Sequence, residues 1–110
     1  MSFADLDEAR RLHGGLLEIV LHRPGGWADR VALSEILELC RAASAAIEDA
    51  QCVEQLRIVA QFAADLFSDQ GHKKWDRGKV SGADFLRLEI VRTLHLFSRR
   101  LSEIEAARWG

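Results

Sequence analysis

The segment Gly71-His72-Lys73-Lys74-Trp75-Asp76-Arg77-Gly78-Lys79 gathers every lysine of the chain around one tryptophan. Cations beside an aromatic ring are what a phosphate backbone and a stacked base ask for. On that reading Lys73, Lys74, Trp75, Arg77 and Lys79 form a loop for nucleic acid or a phosphorylated ligand. The flanking charges oppose it, because Asp65, Asp69, Asp76 and Asp84 offset Lys73, Lys74, Arg77 and Lys79 one for one. The favoured expectation is a solvated loop whose Trp75 folds back as an apolar lid over the end of a helical bundle.

The histidines His13, His22, His72 and His95 raise the question of a metal or an acid-base site. None stands three or four residues from another, and the Glu-x-x-His pair that binds iron in helical bundles is missing. His22 falls at a helix end, one turn after Glu18, where a partial positive charge is favoured in any case. His13 and His95 fall near apolar faces and are expected to be packing residues. Cys40 and Cys52 have no histidine at ligand spacing and read as small, reduced core residues. There is no glycine-rich phosphate loop after a strand, no nucleophile elbow and no Cys, His and carboxylate arrangement of known spacing. No catalytic residue, cofactor or metal is therefore expected, and the chain is not expected to be an enzyme.

The elements that would position these groups are helices. Hydrophobic residues make up 48% of the 110 and charged residues 29%, the balance of one globular domain. The formal net charge of -2 offers no broad field to nucleic acid or acidic lipid, so such binding must be local. Twelve arginines against three lysines, with abundant alanine, is the usage of a GC-rich bacterial genome. The opening MSFADLDEARR is acidic where a signal peptide is basic, and no apolar run approaches the roughly 20 residues that cross a bilayer. A cytoplasmic protein without membrane contact is expected.

Ser2 and Asp5 form a capping-box pattern, with Met1 and Leu6 placed for a hydrophobic staple. Leu6, Ala9, Leu12, Leu16, Ile19 and Val20 then recur at helical spacing until Arg23-Pro24-Gly25-Gly26 ends the helix. Gly14 and Gly15 within it mark a kink in preference to a close approach of another backbone. From Asp29 to Phe67 there is neither Gly nor Pro, yet one straight helix does not suit the apolar pattern. Ile36, Cys40, Ala43 and Ile47 share a face, whereas Cys52, Leu56, Val59, Ala63 and Leu66 would fall roughly 150° away from it. A turn at 48–51 removes the conflict, with Asp49 as the N-cap of a third helix. Ser81 and Asp84 repeat the capping pattern, and Val80 and Phe85 the staple, before the stripe Leu86, Ile90, Leu94, Phe97, Leu101 and Ile104. Phe85, Leu88 and Val91 add a second apolar face that predicts deep burial of the first half of this helix.

The expected fold is all-α, an up-down-up-down four-helix bundle with helices over 3–22, 29–48, 51–67 and 82–108. The last helix, at about 40 Å, outreaches the second and third at roughly 30 Å, so its end is expected to project. A projecting Phe97, Leu101 and Ile104 stripe needs a partner, either a second copy across a twofold axis or another protein, unless the first helix or the Trp27 loop covers it. The leading functional expectation is a protein-interaction or regulatory module, with possible self-association through the last helix. Nucleic-acid binding by residues 72–79 is the alternative, and a metal- or small-ligand-binding bundle a distant third.

Overall fold

The computed structural model describes residues 2–109. It is all-α, with α1 (Phe3–His22), α2 (Arg30–Ala46), α3 (Ala50–Leu66) and α4 (Gly82–Trp109) in chain order. A short 3-10 turn, Gly71–Trp75, lies within the long connection from α3 to α4. Each helix packs on the next in sequence and α4 packs back on α1, so the bundle closes as a square of antiparallel neighbours.

The helix ends follow local chemistry. The Ser2 hydroxyl accepts from the Asp5 amide at 3.2 Å while the Asp5 carboxylate accepts from the Ser2 amide at 2.9 Å, the full capping box. Met1, its expected staple partner, lies outside the described residues. Asp29 and Asp49 cap α2 and α3 through the amides of Ala32 and Cys52, each at 3.1 Å. Residues 29–67 are therefore two helices with the turn that the apolar phase demands. The Ser81 hydroxyl accepts from the Asp84 amide at 3.1 Å at the start of α4. Val80 is 46% exposed and does not close the staple expected there.

The core collects the stripes of all four helices, from Leu6, Leu12 and Leu16 on α1 to Ile90, Leu94, Phe97 and Leu101 on α4. Helix α1 runs unbroken through Gly14 and Gly15, and a methyl group at Gly15 would meet Leu39 of α2 at 3.4 Å. That is ordinary van der Waals contact with a side-chain end, so neither a kink nor a close backbone approach accounts for Gly15. The second apolar face of α4 is covered only in part: Phe85 and Val91 are partly buried, whereas Leu88 is 65% exposed.

The end of α4 does not project. Arg10 pairs with Glu105 at 2.8 Å, the ring of His13 stacks on Phe97, and Arg108 lies over the ring of Phe3. The first half of α1 therefore runs along the second half of α4. At the other end of the same seam Arg87 donates to the carbonyls of Val20 and Arg23 at 3.1 Å each, and to that of Pro24. These are carbonyls that the end of α1 would otherwise leave without a donor. The extra length of α4 lies instead at its start, where the 3-10 turn packs on it. No described helix is long and apolar enough to cross a membrane.

Candidate functional site at the loop end of the bundle

Phe97 and Leu101, read from the sequence as a partner seam with Ile104, are wholly buried in the core of their own chain. Ile104 is partly buried against the same core. The stripe is interior because α1 covers it, so it is not a surface on which another chain could dock. Leu101→Glu would accordingly bury a carboxylate in the bundle and unfold it, an effect of several kcal/mol readable as loss of the thermal transition.

Two connections meet at the loop end. In the longer, the Ser68 hydroxyl accepts from the Gly71 amide at 2.6 Å and so ties the entry of the 3-10 turn, whose own N-cap residue, Gln70, makes no side-chain cap. Helical periodicity stops at Phe67, so a single turn of this kind leaves no stripe in the sequence. Trp75 closes the turn. Its indole N–H donates to Asp65 at 2.8 Å, Phe85 stacks on it at 5.6 Å, and Phe62 meets it edge-on at 5.6 Å. The Arg77 guanidinium lies over the rings of both Trp75 and Phe85. Engaged by three side chains and a carboxylate, Trp75 is a partly buried lid, as expected, and not an open platform for a base.

Beneath this lid the backbone closes tightly. Asp76 accepts from the Gly82 amide at 2.6 Å, and a side chain at Gly82 would overlap the carbonyl oxygen of His72. Only glycine lets the loop meet the start of α4 there. His72 itself is tied through Nδ1 to the Ser68 carbonyl at 2.8 Å.

The shorter connection, from α1 to α2, is fixed as firmly. Gly25 and Gly26 take positive φ, 72° and 77°, which turns the chain without a side-chain clash. The Gly26 amide donates to the Leu66 carbonyl at 2.7 Å, and the Ala28 amide to Asp69 at 2.9 Å. Asp29, almost wholly buried, pairs with Arg23 at 3.3 Å. Between these anchors Trp27 stands 49% exposed, with Val31 one helical turn on at 60%. The Trp27 loop does not cover the end of α4, the alternative the sequence leaves open, because it lies at the opposite end of the bundle.

The charges of this end divide in a way the sequence does not reveal. Arg23, Lys74 and Arg87 face Asp29, Asp65 and Asp84 at 3.2–3.5 Å. Asp69 and Asp76 each accept from a backbone amide of the two loops. Arg77 donates to the carbonyls of Lys74 and Asp76. Among the described residues, Arg30, Lys73 and Lys79 face no carboxylate within ion-pair distance, and all three are exposed.

The other titratable groups lie in the bundle body. His13 is half-buried with Nε2 unpartnered, and desolvation holds its pKa below the usual 6.5 while a hydrogen bond to the Leu94 backbone opposes. His95 is exposed, not packed on an apolar face as expected, and His22 sits 3.6 Å from Glu18 at the surface. Burial pushes the thiols of Cys40 and Cys52 up to about 12, so both are neutral and shielded. Arg100 grips Asp49 at 2.8 and 3.1 Å and holds that carboxyl down at about 2. Among the described residues no three His, Cys, Asp or Glu side chains converge on one centre. Comparison of the chain with protein-family models, curated proteins and solved structures finds no match.

Proposed function

We propose that this chain is a small helical protein-interaction or regulatory module that docks through the loop end of its bundle. The observation that carries the reading is Trp27, a large aromatic held half out of the protein by a turn that is pinned on both sides. Scattered exposed aliphatic residues are ordinary on any surface. A tryptophan on a rigid turn differs in two respects. Covering its exposed half would return roughly 2–3 kcal/mol, and the turn is already ordered, so little conformational freedom remains to be lost on binding. Interface energy concentrates in such residues. The bundle then serves as a scaffold that fixes two loops, and its buried thiols and unconverged histidines support a binding rather than a catalytic role.

The test is a photocrosslinking amino acid placed at the exposed Ala28, beside the intact Trp27, and, as a control, at Leu37, which is 45% exposed on α2. The reading holds if an adduct to another protein, or to a second copy of the chain, forms from position 28, is lost in Trp27→Ala, and does not form from 37. Equal adducts from both positions, or none, would defeat it, and an adduct to RNA or DNA would favour the nucleic-acid reading of the same end.

A further inference from the structure

Resting on the interaction reading above, we infer that the partner presents an acidic segment, an apolar residue flanked by carboxylates, to the Trp27 turn and the neighbouring Lys73 turn. The two turns adjoin: a methyl group at Gly26 would lie 4.0 Å from His72 Nε2, and the Ala28 amide donates to Asp69. Trp27 and Val31 supply the apolar centre. Arg30 lies between them on the first turn of α2, Lys73 follows His72 directly, and Lys79 stands on the adjoining hairpin closed by Arg77 and Val80.

In sequence the 65–84 window neutralises itself, whereas in the fold each of its carboxylates already holds a partner and the exposed Lys73 and Lys79 hold none. Asp65 holds Trp75 and Lys74, Asp76 holds Gly82, Asp69 holds Ala28, and Asp84 pairs with Arg87. The two connections thus offer an apolar centre at Trp27 and Val31 and three exposed cations, Arg30, Lys73 and Lys79, without a carboxylate partner, a surplus that suits a partner of the opposite sign.

The same inventory disfavours the other polyanions. Nucleic-acid binding typically engages about 6–10 phosphates, and polybasic membrane segments carry about 4–8 cations, against Arg30, Lys73 and Lys79 here. Trp75, the aromatic within the lysine cluster, is already packed.

The experiment is an unbiased peptide-display selection on the full chain, counter-selected on Trp27→Ala. It is followed by affinity measurements on enriched peptides, with single-stranded oligonucleotides and phosphatidylserine vesicles as parallel probes. Enriched peptides should share an apolar residue flanked by Asp or Glu. Their affinity should fall about tenfold or more in Trp27→Ala and again in the Lys73→Glu/Lys79→Glu pair, and several-fold as salt is raised. Enriched peptides that require Trp27 but lack carboxylates would overturn the acidic partner and leave the interaction reading standing. Failure to enrich any Trp27-dependent peptide would overturn both. Vesicle or oligonucleotide binding lost on the lysine reversals would assign the surface to a lipid or a nucleic acid instead.

Discussion

Two tryptophans stand on neighbouring loops at one end of this bundle and have opposite fates. Trp75 is folded under, its N–H bonded to Asp65 and its ring between Phe62, Phe85 and Arg77. Trp27 is held out, although its loop is anchored as tightly. The difference lies in what each loop can reach. The longer connection has room to turn back on the start of α4, where Phe85 waits. The shorter one is drawn flat by Gly25 and Gly26 against Leu66, which leaves its next residue facing solvent. The lesson is that a rigid loop need not be a closed one. The first builds the end of the molecule, and the second presents a side chain from it.

The largest expected effect breaks the longer loop at its base. Gly82→Ala drives a methyl group into the His72 carbonyl, which is backbone and cannot swing aside. The lid should detach, and stability measured by urea denaturation should fall by about 3 kcal/mol or more. Next comes Trp75→Ala, which removes the lid alone. A loss of roughly 2–4 kcal/mol is expected, toward the lower end because the ring is only partly buried.

A smaller effect sharpens the comparison by acting on the bundle body and neither tryptophan. His13 has its folded pKa below 6.5, so the unfolded chain binds more protons beneath that pH and stability declines as pH falls through and below it. Asp49 has a folded value of about 2 against 3.8, so its contribution is complete above 3.8 and is lost between 3.8 and about 2. Melting temperature followed against pH should therefore step down twice on acidification. His13→Phe, which keeps the ring stack on Phe97 without an unpartnered nitrogen, should remove the upper step.

The smallest expected effect is the most informative. Trp27→Ala should cost about 1 kcal/mol in the same denaturation assay, well short of Trp75→Ala, since only the covered half of its surface is lost and no hydrogen bond or ring contact goes with it. A loss as large as that of Trp75→Ala would erase the distinction between the two residues and return Trp27 to the scaffold.

Much of the fold is legible in the residues because it follows from local rules. The helix starts at Ser2, Asp29, Asp49 and Ser81 are capping chemistry within three or four residues, and the apolar phase between Ile47 and Cys52 forces two helices where composition alone allows one. The core positions on all four helices follow from the same periodicity. Much less of the candidate site is legible. Leu88 has the same type and spacing as buried leucines, and only the placement of neighbouring helices leaves it in water. The 3-10 turn is tied by Ser68, but a single i to i+3 bond has no periodicity to announce it.

What the sequence determined by itself, then, is the class, number and inward faces of the helices, because caps, breaks and 3.6-residue stripes are set by neighbours along the chain. What only the tertiary structure decided is which long-range partners those faces and charges take. Helix lengths alone suggested that Phe97 and Leu101 would project, yet α1, packed antiparallel on α4 with Arg10 on Glu105, covers them. Charge counting alone made residues 65–84 neutral. The fold set their carboxylates on backbone amides, Trp75, Lys74 and Arg87, and left Lys73 and Lys79 exposed without a carboxylate partner. Orientation in space, unlike order along the chain, is a property of the packed molecule.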